Sequence, residues 1–194
     1  QMGRAKNWRE FSSAMARWKM PSENMIYPDV DGNIGWIAAG LMPRRRWSGL
    51  LPVPGDGRYE WSGFVPTPQL PQSYNPQSGW IATANNNILP AGYRTPISYD
   101  WSSDYRVSRI REVLGARNDF TIEDFQQLQH DDLSILARRL VPSLVAAARR
   151  LGRGDELAVK MLAAWNYRMS RDAAAPLVFG AWAPVLARRA NAAR

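Results

Sequence analysis

Residues 25–38 read Met25-Ile26-Tyr27-Pro28-Asp29-Val30-Asp31-Gly32-Asn33-Ile34-Gly35-Trp36-Ile37-Ala38, and the fold class turns on how they are parsed. Met25-Ile26-Tyr27 and Ile34 to Ala38 are apolar runs, and Asp31-Gly32-Asn33 between them suits the positive φ angles of a tight turn. The stretch predicts a β-hairpin. Its acidic spacing also resembles the start of a calcium-binding loop, but the residues that follow reject that reading. Ile34 stands where such a loop needs its glycine, and Gly40 where it needs its bidentate glutamate. Asp29, Asp31 and Asn33 are therefore expected to shape a turn.

Toward the N-terminus, Trp8, Phe11, Met15 and Trp18 recur at helical spacing before Pro21. They predict a short amphipathic helix whose large apolar face must be covered, either by the next segment or by polypeptide from elsewhere. Toward the C-terminus, Pro52-Val53-Pro54-Gly55-Asp56-Gly57, Pro66 to Pro71 and Asn75-Pro76-Gln77-Ser78-Gly79 are too rich in Pro and Gly for helices. Connections of this length commonly carry function. Beyond Ser103 the pattern turns helical. Thr121-Ile122-Glu123-Asp124 sets a hydroxyl three residues before a carboxylate and predicts a helix running through Phe125, Leu128, Ile135 and Leu136, with Pro142 kinking or restarting it. Further helices are expected over Asp155–Tyr167 and over Asp172–Ala190, the latter interrupted near Pro184, and the Ala/Arg-rich end after Ala183 should fray. The expected class is α+β: a helix plus a strand and loop segment over 1–102, a helical segment over 103–194, together one unit within a larger protein.

Composition removes several alternatives. There is no cysteine, so disulfides and thiolate metal sites are excluded, and the single histidine, His130, sits in a polar stretch that suits a surface or capping role. No run approaches the roughly 20 apolar residues of a membrane helix, and Gln1 to Glu10 is too charged for a secretory signal. The net charge of +8 raises the question of nucleic acid. It is spread evenly, with 12 Lys+Arg against 8 Asp+Glu in residues 1–110 and 13 against 9 in 111–194, so each part carries +4. The one tight cluster, Arg44-Arg45-Arg46, reads as a solvated loop, and no nucleic-acid partner is expected.

Searches for chemistry find no phosphate-cradling glycine loop and no Gly-x-Ser-x-Gly elbow. What stands out is Ala82-Thr83-Ala84-Asn85-Asn86-Asn87, three amides directly after the apolar Trp80-Ile81. A neutral amide can donate N–H groups to a developing oxyanion without adding charge, but asparagines also hold turns, and composition alone leaves both readings open.

The ordered series Asn24-Met25-Ile26-Tyr27, Asp29 to Gly35, Leu51 to Gly57, Tyr59-Glu60-Trp61, Gly63-Phe64, Leu70-Pro71, Tyr74-Asn75-Pro76, Gly79-Trp80-Ile81-Ala82 and Asn85-Asn86 resembles the penicillin amidases. The likeness is strong from about Trp8 to Leu114 and weaker in the helical remainder, where Leu162 to Met169 still resembles the family's tryptophan-containing helix. It implies part of an N-terminal-nucleophile hydrolase: two antiparallel sheets between helical layers, in a large chain released with a small one from a zymogen precursor.

In that family the first residue of the large chain is a serine. Its α-amino group activates its hydroxyl to attack an amide, and an acyl-enzyme forms, which explains why no histidine is needed. Asn85 is similar in position to the family's oxyanion-donating asparagine, and Arg106, in Asp104-Tyr105-Arg106, to an arginine that supports the site; an ion pair of Arg106 with Asp100 or Asp104 is the structural alternative.

This sequence begins with Gln1, and Ser12 and Ser13 are internal, so the resemblance implies that the nucleophile and most acyl-pocket residues lie on other polypeptide of the same precursor. The expected substrate is a small N-acyl compound, the expected setting periplasmic or secreted, and the isolated chain is expected to be inactive. No cofactor is expected in this chain. Relatives often bind a structural calcium, yet a carboxylate expected shortly before Tyr99 is replaced here by neutral residues around Thr95. Separately, Asn166 stands after Trp165 where relatives commonly have Asp. The alternative is a non-catalytic binding module that kept the scaffold; an upstream reading frame with a processing site ending in Ser separates the two.

Overall fold

Asn7 begins the first helix. Its side-chain oxygen accepts from the Glu10 backbone N–H at 2.9 Å while its Nδ2 donates to Glu10 Oε1 at 3.2 Å, and α1 runs Trp8–Met15. This is a computed structural model that describes residues 2–192; Gln1, on which the expectation about the first residue falls, and the last two residues lie outside it. The helix stops earlier than its apolar spacing suggested. Trp18 lies past the end, where its indole N–H donates to the Pro21 carbonyl at 2.6 Å. The apolar face is covered by the chain itself: Phe11 and Met15 are buried in one cluster with Tyr27, Ile37 and Ala39.

The hairpin forms as the sequence predicts. Strands β1 (Glu23–Pro28) and β2 (Ile34–Ala39) pair antiparallel with Met25 opposite Ile37 and Tyr27 opposite Gly35. Asp29 organises the turn, its Oδ1 accepting from the backbone N–H groups of Asp31 at 3.0 Å and Asn33 at 2.8 Å. Burial, reinforced by donation to Asp29 at 2.9 Å, pushes the Tyr27 hydroxyl up to about 12. Gly35 is required by close approach. A Cβ there would fall 2.4 Å from the Trp8 ring, which also stacks on Tyr74 at 5.3 Å.

A third strand, β3 (Gln72–Tyr74), which the sequence did not suggest, pairs antiparallel with β2 to give the order β1-β2-β3. The Pro- and Gly-rich chain around it is turn structure apart from one 3₁₀ turn, Thr67–Gln69. It is pinned through its backbone: Val65 N–H donates to Met42 O at 2.8 Å and Arg44 N–H to Gly63 O at 2.8 Å.

The remaining elements are helical: α2 (Tyr105–Leu114), α3 (Ile122–Gln129), α4 (Ile135–Arg150), α5 (Leu157–Ala163) and α6 (Ala174–Ala192). The chain divides into two compact units within α2, one ending at Val107 and the other beginning at Ser108. Thr121 and Asp124 form the expected capping box, but the helix they open stops at Gln129 instead of running on through Leu136. His130 is the residue that ends it. Ser134 then caps a new helix, accepting from Ala137 N–H at 3.1 Å.

Neither of two prolines restarts or interrupts its helix. Pro142 and Pro184 lie inside α4 and α6, neither of which is divided. Pro142 removes one helical donor, while Ala137, Val141 and Val145 on the same helix are buried against Val159, Leu162, Trp165 and Phe179. Packing of that face outweighs the lost bond. Helix α5 is shorter than the predicted Asp155–Tyr167, because the chain turns after Ala164 and Trp165 N–Hε1 donates to Arg168 O at 2.8 Å.

Candidate active site

The segment after Trp80 has no regular secondary structure, so its side chains must satisfy its backbone. Asn86, 6% exposed, does most of this. Its Oδ1 accepts from Ala84 N–H at 3.0 Å, and its Nδ2 donates to Asn87 O at 2.9 Å. Asn87 makes the next turn, its Oδ1 accepting from Leu89 N–H at 3.0 Å. Two of the three amides are thus the turn-holders that composition allowed.

Asn85 is different. It has a φ of +58°, a left-handed conformation that asparagine tolerates better than most residues, and it is exposed. Its backbone carbonyl accepts from Ser102 N–H at 2.8 Å. Its side chain bonds nothing within its own bend. Instead Oδ1 accepts from Arg106 Nη2 at 3.0 Å, and the same nitrogen donates to Ala84 O at 2.8 Å and to Ser102 Oγ at 3.4 Å.

That contact fixes the direction of the amide. A guanidinium can only donate, so the atom facing it must be the carbonyl oxygen, and the NH₂ group faces away with no protein acceptor among the described residues. Donation by a cation to Oδ1 also polarises the amide and strengthens its N–H groups as donors. Chemically, the Asn85 amide presents an oriented, uncharged double donor to whatever lies in front of it, with the Arg106 charge behind its oxygen. Arg106 comes from the first turn of α2, so helix formation delivers the guanidinium to the loop.

The two residues singled out in the sequence are therefore hydrogen-bonded to each other. Sequence reasoning missed Ser102 and the Ala84 carbonyl as supports of that contact. A run of amides signals Asn86, but nothing in the spacing signals that the Ala84 carbonyl meets an arginine 22 residues later. A small cavity of about 190 Å³ in the same unit is lined by residues such as Asn24, Leu41, Leu70 and Trp101, and neither Asn85 nor Arg106 is part of its wall. Among the described residues no three His, Asp or Glu side chains come together around a possible metal position.

The sequence matches the family described as Penicillin amidase over residues 1–193. It is 34% identical over 175 residues to penicillin G acylase of Escherichia coli, a match covering 84% of this chain and 20% of that protein. It is 30% identical over 194 residues to the penicillin acylase 2 proenzyme of Pseudomonas sp. strain SE83, covering 99% of this chain and 25% of the proenzyme. It is also 32% identical over 150 residues to an acyl-homoserine lactone acylase of Pseudomonas fluorescens, covering 76% of this chain and 17% of the relative. The fold matches a thermostable penicillin G acylase from Alcaligenes faecalis with a TM-score of 0.71 at 26% identity, over 88% of this chain and 32% of that one. The chain thus spans 17% to 25% of the length of these curated relatives.

Proposed function

The chain belongs to the penicillin amidase family, and we propose that it is the part of an N-terminal-nucleophile amide hydrolase that supplies an oxyanion donor, Asn85, held in place by Arg106. The serine comes from the remaining polypeptide of the same precursor, its small subunit and the N-terminal part of its large one. The substrate is a small N-acyl compound of the class the relatives' names indicate. The α-amino group of the serine takes the proton from its hydroxyl, and the oxygen attacks the amide carbonyl, whose π electrons move to oxygen. The resulting tetrahedral oxyanion accepts from Asn85 Nδ2–H. Collapse expels the amine, which takes up the proton, and water then releases the acid from the acyl-enzyme.

The observation that carries this reading is the orientation of the Asn85 amide. Arg106 occupies its oxygen at 3.0 Å, leaving both N–H groups to a ligand. One such donor typically contributes about 10²–10³ in rate, because it is already aimed when charge develops. Export to the periplasm or medium is part of the same proposal and rests on the family alone; among the described residues no helix is long and apolar enough to cross a membrane.

The test is complementation. The purified 194-residue chain should leave an acyl-aminocoumarin and a penicillin untouched, while the full-length protein, bearing the N-terminal serine, should hydrolyse at least one. Turnover by the isolated chain would overturn the proposal, as would a full-length protein that binds such substrates without cleaving them.

A further inference from the structure

Apart from the Asn85 and Arg106 pair, the first unit holds a concavity of about 530 Å³ whose wall includes Arg44, Arg45 and Arg94, and every other residue lining it is neutral. Among the described residues no carboxylate lies within ion-pair distance of any of the three. Three arginines on the wall of one hollow make its potential positive, and an anion bound there offsets their mutual repulsion.

The arginines are placed by the fold. Arg44 is tied through its backbone N–H to Gly63 O at 2.8 Å, through its carbonyl to Ser62 N–H at 3.0 Å, and through Nη2 to Gln69 Oε1 at 3.2 Å. The Arg45 guanidinium lies over Gly49, where φ is +76° and a Cβ would fall 1.8 Å from Nη1. Gly49 therefore serves both the turn and the guanidinium. Thr95 adds a hydroxyl residue to the wall and Trp47 an apolar side, while the Ser62 hydroxyl donates to the Arg44 carbonyl at 3.4 Å. Thr95 marks the neutral stretch where the family resemblance called for a calcium carboxylate, so the local charge is opposite to what a divalent cation needs.

We propose that this concavity is a binding site for a small oxyanion, a carboxylate or phosphate compound gripped by the guanidinium forks of Arg44, Arg45 and Arg94, and that it takes no calcium. Planar forks match the oxygen pairs of both groups. The site is independent of the proposed hydrolytic chemistry.

The test follows the Trp47 indole N–H resonance of the full chain during separate titrations with inorganic phosphate, succinate and calcium chloride at constant ionic strength. Phosphate or succinate should shift it saturably, the tighter of the two identifying the ligand class, and calcium should not. Arg45→Gln and Arg94→Gln should each weaken binding by about tenfold, the loss of one charge-assisted bond, while Arg46→Gln, whose residue lies outside the wall, should leave it unchanged. If Arg45→Gln disturbs the fold, Arg94→Gln on its separate loop decides. Absence of saturation with both anions, a calcium shift, or equal weakening by Arg46→Gln would each overturn the proposal.

Discussion

In the unit ending at Val107 the segment that carries Asn85 is fixed by neutral side chains bonded to nearby backbone, Asn86 and Asn87 above all, and by one arginine reaching a carbonyl. In the unit beginning at Ser108, helices α4, α5 and α6 pack around the Trp165 core, and the unit carries ion pairs such as Arg109 with Asp131 at 2.8 Å and Arg138 with Glu112. Trp165 packs on Phe179 at 5.6 Å between ring centres. The contrast shows two ways of making a surface rigid. A buried aromatic core holds whole helices, whereas a bend that must present an amide is held mostly by local, uncharged hydrogen bonds, with a single cation, Arg106, behind the amide oxygen.

The contrast can be broken at its strongest point first. Trp165→Ala should cost about 3–5 kcal/mol in urea unfolding followed by far-UV circular dichroism, the usual loss for a buried aromatic. A cost near that of a surface change would mean the helical unit does not depend on its core. Asn86→Ala leaves the Ala84 N–H without its acceptor and should cost about 1–3 kcal/mol, with faster amide exchange at Ala84. Unchanged exchange there would remove Asn86 as the support of the bend.

A subtler prediction separates the two kinds of bond by salt. The Arg138 guanidinium, foremost, and Arg109 hold the Glu112 carboxyl below its usual range, and Arg109 likewise holds Asp131 low. Asp29 is also low, but there burial pushes upward and is outweighed by donors that are all uncharged: the Asn33 side chain and backbone, the Tyr27 hydroxyl and the Asp31 backbone. All three folded values lie below the unfolded ones. Their contribution to stability is therefore present above the unfolded carboxylate values and is lost as pH falls through the folded ones. Because salt screens ion pairs more than neutral hydrogen bonds, 1 M salt should raise the Glu112 value measured by NMR titration and leave Asp29 nearly still. Equal movement would contradict the distinction.

How much of this was legible follows from the range over which each signal acts. The hairpin was readable because its turn chemistry, Asp29 to Asn33, is local, and the capping box because Thr121 and Asp124 are three residues apart. Strand β3 was not, since three residues give no periodicity and its partner β2 is distant in sequence. The break between α3 and α4 had a signal that apolar spacing overrode: Ser134 is a good cap, and the Asp131 and Asp132 before it bind Arg109 and Arg168. That Pro142 does not restart α4 and Pro184 does not interrupt α6 was not legible, because propensity is local while burial is not. At the site, the residue types suggested amide donors and family resemblance selected Asn85 and Arg106. Their hydrogen bond across 21 positions is a tertiary fact.

The central claim is that Asn85 acts through its N–H groups and not through the shape of its bend. In the full-length enzyme, Asn85→Asp keeps a residue that tolerates positive φ and keeps the acceptor facing Arg106, but replaces the donor with a charged acceptor. The account predicts an unchanged or raised melting temperature, a nearly constant KM and a kcat lower by about 10²–10³. A kcat within about threefold of the parent enzyme, with the fold intact, would contradict it.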